Sequence, residues 1–248
     1  AVFSLNAQTP TFPENGARNP NHTIYALKGA TIQVDPETVI SNGTMLVQDE
    51  RILAVGASVI VPKEAVIMDL TGKFIYASFI DAYTTYGMPE VPRRKWNPDP
   101  QFVSARAGAF GGNEALKPET DASKLFSSHQ ASAEEFRSIG FGTVMMFAKD
   151  GIARGTAGVA TLNAEDGDNK ALLKAKAAAC YSFDKGSSAQ DYPSSLMGAI
   201  ALLRQTYYDA DWYRTAKNKT EFNLTLDAWN NNQSLPSFFE TTDKWNVL

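Results

Sequence analysis

Phe74-Ile75-Tyr76-Ala77-Ser78-Phe79-Ile80-Asp81-Ala82-Tyr83-Thr84-Thr85-Tyr86-Gly87 decides how the rest of the chain reads. The stretch is apolar, rich in aromatic and β-branched residues, and closes on Gly87 with Pro89 just beyond. Such side chains pack well on a pleated surface, and glycine and proline stop it, so the stretch predicts a buried strand. Asp81, Tyr83 and Thr85 alternate along it, and a regular strand would turn all three side chains to one side.

Upstream, residues 9–21 are proline-rich and aperiodic, which predicts a linker or extended arm. Residues 23–34 carry β-formers interrupted by Gly29, a sign of a bulge or bend. Asp35-Pro36-Glu37 reads as a turn. Asn42-Gly43 then leads into a strand at 44–48, and Asp49-Glu50 connects tightly to another at 51–55. Residues 59–61 stop at Pro62, and 65–69 run into Thr71-Gly72. Short strands at this spacing predict an antiparallel all-β unit.

The order of these segments carries a resemblance. Leu27-Lys28-Gly29-Ala30-Thr31, then Asn42-Gly43-Thr44-Met45-Leu46-Val47-Gln48-Asp49-Glu50-Arg51-Ile52-Leu53-Ala54-Val55-Gly56, then Val66-Ile67-Met68-Asp69-Leu70-Thr71-Gly72-Lys73-Phe74 resembles the small β-sandwich that precedes the barrel in the amidohydrolase superfamily. Imidazolonepropionase-like members are included in that likeness, which runs almost without gaps from Tyr25 to Gly87. Phe79-Ile80-Asp81-Ala82-Tyr83-Thr84-Thr85-Tyr86-Gly87 resembles the family's first barrel strand. There the segment reads Phe-Ile-Asp-Ala-His-x-His, and the two histidines bind the catalytic metal. Here Tyr83 and Thr85 stand at the histidine positions.

Downstream of Gly87 the chain is irregular through Pro118 and dense in Pro, Gly, Arg and Asn; long loops of this kind are often functional. Arg93-Arg94-Lys95-Trp96 within it reads either as an anion or substrate contact at a barrel mouth or as a solvated loop surface. Gly108-Ala109-Phe110-Gly111-Gly112 lacks the spacing of a phosphate loop. Asp121 is a helix cap, and Leu125, His129, Ala133, Phe136 and Ile139 fall at helical spacing, which predicts one helix over 122–139. Residues 141–148 form an apolar strand closed by Lys149-Asp150-Gly151. Strand, helix, strand predicts a βαβ unit with a parallel sheet.

Farther on, 157–162 read as a short strand among glycines whose spacing is not a nucleotide fingerprint. Glu165-Asp166-Gly167-Asp168-Asn169 is a solvated turn, short of a full calcium loop. Residues 172–183 read as a strand or strand pair. Asp191-Tyr192-Pro193 opens a helix through Lys217, with Leu196, Ile200, Leu203, Tyr207 and Ala210 on one face. A second helix covers 224–231. Thr242-Asp243-Lys244-Trp245-Asn246-Val247-Leu248 reads as a strand entering a new unit.

The resemblance implies an α/β fold: a small N-terminal β-sandwich followed by the first part of an incomplete (β/α)8 TIM-like barrel. Its divisions are 1–22, a signal-peptide remnant and arm; 23–73, the β-sandwich; and 74–248, barrel with insertions. A complete barrel takes about 250 residues by itself, so continuation beyond Leu248 is expected, and the remainder of the protein is the first partner. The chain is also similar to large exported amidohydrolase-like proteins of Bacteroidetes-type bacteria, through Tyr76-Ala77-Ser78-Phe79-Ile80-Asp81-Ala82-Tyr83 and Gly186-Ser187-Ser188-Ala189-Gln190-Asp191-Tyr192-Pro193. In such proteins a degenerate half precedes one that can retain the metal motif.

The chemistry is thinner than the fold. Metal hydrolysis in this family needs histidine and carboxylate ligands gathered at the barrel mouth, where bound water becomes the nucleophile. The chain has two histidines: His22 precedes the β-unit and His129 falls within the expected helix, so neither stands at a ligand position. A phenol and a hydroxyl at Tyr83 and Thr85 are poor substitutes, and no metal is expected in this segment. A zinc-like divalent cation belongs, on the resemblance, to the complete protein. Asp81 is expected to hydrogen-bond backbone at the strand end, and Lys149 and Asp150 would face the mouth after the second strand. These five are the mouth candidates. Ser187-Ser188 and Ser194-Ser195 lie in no nucleophile elbow.

Composition bounds the rest. A net charge of −4 and a pI near 5.3 give no electrostatic case for nucleic acid or an anionic membrane, and no apolar run approaches the roughly 18 residues of a membrane span. The one cysteine, Cys180, excludes an internal disulfide and reads as a buried small residue. Ala1-Val2-Phe3-Ser4-Leu5-Asn6-Ala7-Gln8 resembles the end of a signal peptide cleaved after Ala7, which implies export to the periplasm or beyond. The five Asn-x-Ser/Thr motifs would matter only in a glycosylating pathway. Two functions remain open. One is the N-terminal part of a hydrolase of carbon–nitrogen bonds in a small-molecule or peptide-like substrate, its catalytic residues elsewhere. The other is a catalytically dead scaffold or binding domain.

Overall fold

The structure, a computed structural model, describes residues 22–49, 51–94, 97–163, 171–216 and 222–240. The expected signal remnant, Lys95-Trp96, the acidic turn at 165–169, the helix end at Lys217 and the terminal strand at 242–248 lie outside them. Two compact units divide at Ala77/Ser78, and each is described by itself.

The first unit is a mixed five-stranded sheet of β1 (Tyr25–Gln33), β2 (Val39–Gln48), β3 (Arg51–Gly56), β4 (Val66–Asp69) and β5 (Phe74–Ile75). Its order is β3-β2-β1-β4, with β5 also on β1. The two hairpins are antiparallel, but β4 and β5 run parallel to β1. An all-antiparallel unit is therefore not what forms. Residues 57–65 carry the chain from the β3 edge across to the far side of β1, and a crossover of that kind delivers a parallel strand. Residues 59–61 form no strand, because they serve that crossover. Asn42-Gly43 is no turn either: Asn42 takes φ 50° inside a continuous β2, opposite the register shift around Gly29. Gly29 has φ +82°, and a Cβ there would stand 2.5 Å from Thr71 Oγ1, so this bulge requires glycine. Ala30, Ile32 and Met45 form the core.

The opening stretch is not one strand. Phe74-Ile75 ends the first unit as β5, and β6 (Phe79–Thr84) starts the second. Nor is it buried throughout, for Phe79 and Ile80 are 65% and 68% exposed. Among the described residues β6 is an edge strand, paired with β7 alone, which leaves its outer edge without a strand partner there.

The second unit adds α1 (Ala122–Leu125), α2 (Gln130–Ser138), β7 (Phe141–Met146), β8 (Ala153–Thr161), β9 (Leu172–Ser182), α3 (Leu196–Thr215), α4 (Leu224–Asn232) and β10 (Ser237–Glu240). The sheet order is β10-β9-β8-β7-β6. β6 pairs β7 in parallel across the intervening helices, and β9 pairs β10 in parallel across α3 and α4. Between these two units β8 runs against both neighbours, since its connections are too short for a crossover. A strictly parallel barrel opening is thus interrupted by one antiparallel strand.

Alternation assigns the faces. Ala179 and Tyr181 of β9 meet Ala199, Leu203 and Ala210 of α3 and Trp229 of α4. Val144 and Met146 of β7 pack with Ala133 and Phe136 of α2. Tyr83, Met145, Phe147, Ala157, Ala178, Cys180 and Phe238 gather in a separate cluster on the other face. The Tyr83 and Phe238 rings lie 6.3 Å apart, although they belong to the two edge strands. In a flat sheet four steps of about 4.8 Å would separate those strands by about 19 Å. The sheet is therefore curled, with these rings filling its concave side.

Helix boundaries shift from expectation for local reasons. The helix expected over 122–139 is two, because 126–129 leave helical geometry and His129 becomes the N-cap of α2, its Nδ1 accepting from Ser132 N–H at 3.3 Å. α3 starts after Ser195, whose Oγ accepts from Gly198 N–H, rather than at Pro193. Its buried stripe is Ala199, Leu203, Thr206, Ala210 and Tyr213. Leu196, Ile200 and Tyr207 lie beside that stripe rather than on it and stay partly exposed.

Candidate functional site

All the parallel strands of the second sheet end on one side, and the antiparallel β8 begins there. In parallel α/β sheets ligands sit beyond the carboxyl ends of the strands. Four side chains meet at this side from four elements: Tyr83 from β6, Lys149 from just after β7, Arg154 from the start of β8 and Glu240 from the end of β10. The Tyr83 hydroxyl donates to Glu240 Oε1, and Arg154 Nη1 donates to Glu240 Oε2. Lys149 Nζ stands 3.5 Å from Glu240 Oε1 and 4.8 Å from the centre of the Tyr83 ring, a cation–π placement.

Arg154 is the anchor. It is 2% exposed, donates Nε to Gly151 O at 3.0 Å, and lies 6.0 Å from the Phe147 ring centre. Burial lowers its pKa, while Tyr83, Asp184, Cys180 and Asp150 favour the charged form. A buried guanidinium requires a paired anion, and Glu240 supplies it. Beneath lies Cys180, whose thiol burial pushes up to about 12; it is a neutral packing residue, not a nucleophile.

The five mouth candidates separate. Tyr83 and Lys149 join the cluster just described. Asp81 Oδ1 accepts from Tyr83 N–H at 2.8 Å, holding its own strand end. Thr85 does not join Tyr83. β6 ends at Thr84 and its pairing slips between Asp81 and Thr84, so the two-residue alternation no longer holds. Thr85 is exposed and lines a different depression with Tyr86, His129 and Phe136.

Asp150 turns to a second network. Its Oδ2 pairs with Lys117 and accepts from Ser187 Oγ at 2.8 Å, and its Oδ1 accepts from Ser187 N–H at 2.7 Å. Burial raises its pKa, but the Lys117 and Ser187 bonds outweigh that and hold the carboxyl below 3.8. Lys117 Nζ also donates to Ser187 Oγ at 3.0 Å, so Asp150, Lys117 and Ser187 form one closed set of bonds that ties the loop after β9 to the end of β7.

The long loop is tied down by two buried polar side chains. Gln190 Oε1 accepts from Glu114 N–H, and Nε2 donates to the carbonyls of Gln101, Val103 and Gly112. Glu114 in turn accepts from Ala105 and Ala189 N–H. Arg94 donates Nη2 to Asp184 Oδ1 at 2.8 Å and Nε to Gly186 O at 2.9 Å.

Sequence reasoning missed Arg154, Glu240, Gln190 and Glu114. Arg154 had a signal, being the one charge within the small and apolar run Ile152-Ala153-Arg154-Gly155-Thr156-Ala157. Glu240 had none, because its importance depends on β10 arriving beside β9.

A divalent metal does not fit this mouth. Tyr83 and Glu240 are engaged with each other, Thr85 is turned away, and Arg154 and Lys149 place two positive charges where a dication would need negative or neutral donors. Among the described residues no cluster of three or more His, Cys, Asp or Glu side chains gathers into a metal-binding group, and no helix is long and apolar enough to cross a membrane.

No protein-family model matches the chain, and no curated protein matches it. Among solved structures it is similar to an amidohydrolase from Thermotoga maritima MSB8, with a TM-score of 0.61 and 21% sequence identity over 87% of this chain. The likeness covers 57% of that protein, so the chain spans little more than half its length. At this identity the likeness is one of fold alone, and the fold of this chain is amidohydrolase-like.

Proposed function

We propose that this chain is the non-catalytic part of an amidohydrolase-like protein, a scaffold or binding half. One observation carries the reading. The bonded group of Tyr83, Glu240, Arg154 and Lys149 puts an internal ion pair at the strand ends and engages Tyr83, one of the two residues at which the resemblance expects metal-binding histidines, while Thr85, the other, is turned away. A guanidinium and an ammonium around one carboxylate already neutralise it, so the mouth has no need of a metal. On this reading residues 23–73 are a composite β-sandwich, residues 74–248 the first part of an incomplete (β/α)8 barrel with insertions, and residues 1–22 a signal remnant and arm. Export to the periplasm or beyond follows from that arm, and the Bacteroidetes-type likeness points the same way. The edge of β6 that has no strand partner among the described residues supports further strands supplied from elsewhere in the protein.

A second reading keeps hydrolysis. The complete protein would cleave carbon–nitrogen bonds of a small amide or peptide-like substrate, with a zinc-like cation held outside residues 1–248. The fold likeness to an amidohydrolase favours it. Elemental analysis of the purified chain tests the first reading: zinc well below one equivalent is expected, unchanged in Tyr83→Phe or Thr85→Ala. Stoichiometric zinc lost in either variant would overturn it. Amide hydrolysis by the complete protein, abolished by a chelator and insensitive to Glu240→Gln, would support the second reading.

A further inference from the structure

Helix α3 is apolar on two sides. Its buried stripe meets the second sheet and α4 through Ala199, Leu203 and Ala210. Met197, Ala201, Arg204, Tyr208 and Trp212 follow one another at steps of four, three, four and four, so at about 3.6 residues per turn they form one row on the opposite side. Met197 is 80% exposed, Tyr208 66% and Trp212 68%. The outer side of a surface helix ordinarily carries charged and polar residues. Here α3 has neither Lys nor Glu, and the row holds a single charge, Arg204. Met, Tyr, Trp and Arg are enriched at protein interfaces, where Lys and Glu are depleted. The row thus has the composition of a surface that meets another protein.

That row is also complementary to itself. Consider two copies of α3 packed antiparallel about a two-fold axis through the midpoint between Arg204 and Gln205, so that positions equidistant from the midpoint face each other. Met197 then meets Trp212 of the second copy, a thioether against an indole. Ala201 leaves room for Tyr208 of the second copy, small against large. Arg204, which makes no ion pair among the described residues, falls on the same side of the row as Gln205 and Asp209 of the second copy and gains a carboxylate there. Each contact forms twice, as a two-fold interface requires. We propose that α3 is a homodimer interface, two copies of the protein pairing these helices antiparallel through Met197, Ala201, Arg204, Tyr208 and Trp212. One helix pair about 30 Å long is at the small end of specific interfaces, so the dimer is weak, with a dissociation constant on the order of 10 µM. The pairing uses none of the Tyr83–Glu240 group and does not depend on whether the complete protein hydrolyses anything.

Sedimentation equilibrium of the complete protein over about 1 to 100 µM, a range that brackets that constant, tests this. A monomer–dimer equilibrium is expected. Trp212→Ala should weaken it about thirtyfold, the loss typical of a central aromatic anchor. Arg204→Asp and Asp209→Arg should each weaken it about tenfold, and combined they should restore most of the affinity, because the exchange recreates the pair in the opposite sense. All three positions are exposed, and the combined charge variant keeps the test decisive if Trp212→Ala disturbs folding. A monomer throughout the range, its row left to solvent or covered by another part of the protein, would overturn the proposal. So would a dimer that Trp212→Ala leaves intact, or a double charge exchange that stays as weak as the single ones.

Discussion

At the scale of single residues, the Arg154–Glu240 pair ties β8 to β10, with Arg154 fully buried and Glu240 largely so. Removing one partner of a buried pair leaves an uncompensated charge, at a cost of about 3–5 kcal/mol. Glu240→Gln is therefore expected to destabilise by about 3 kcal/mol in chemical denaturation. The double variant Glu240→Gln with Arg154→Met should recover most of that loss, because no charge is then stranded. Asp150 carries a pH dependence. Its folded pKa is depressed below 3.8, so its contribution is fully present above the unfolded value and is lost as pH falls through the folded one. Stability measured across pH 6 to about 2 should decline below about pH 4, and Asp150→Asn should flatten that decline. Tyr83 near the end of β6 and Lys149 just after β7 come together at the strand ends, where their places in the sequence put them. Thr85 was misplaced because alternation fails where a strand ends in a slipped pairing.

At the scale of elements, caps and bulges decide what periodicity alone leaves open. The apolar spacing from Leu125 to Ile139 fits one helix, yet His129 takes an extended conformation and caps α2. Asp is a better N-cap than most side chains, so His129→Asp should stabilise by about 0.5–1 kcal/mol and His129→Ala should not. Thermal melts of the two variants provide the check. The bulge at Gly155 has similar weight. Its φ is +80°, and a Cβ there would stand 1.9 Å from Thr120 O, so Gly155→Ala is expected to cost at least about 2 kcal/mol. The register shift there puts Ala153 and Ala157 into different clusters although they stand four positions apart, a spacing that a regular strand would turn to one face. Strands β1 to β3, β7 and β9 and helices α3 and α4 could be found from composition; the direction of β8 could not, because pairing direction depends on connection length.

At the scale of the whole molecule, the exposed side chains of β6 are the main liability. Phe79 and Ile80 are more than half exposed on an edge strand, and such edges recruit other strands. The isolated 248-residue chain should self-associate with rising concentration in sedimentation experiments. Phe79→Lys should reduce that association while leaving the thermal midpoint nearly unchanged.

By itself the sequence determined the apolar strands, the glycine-bearing bulge at Gly29, the parallel β6–β7 unit and the absence of histidines at the expected strand positions. These follow from local chemistry: side-chain shape, alternation and the φ freedom of glycine. Only the tertiary structure decided that β8 runs backwards, that the sheet curls until Tyr83 meets Phe238, and that Glu240 reaches Arg154 across 86 residues. Long-range pairing sets those outcomes, and nothing in a local window encodes which distant carboxylate will neutralise a buried guanidinium. The opening stretch from Phe74 to Gly87 thus ends the first sheet as β5 and starts the second as β6, while the ion pair at the strand ends came from residues that its own motif does not contain.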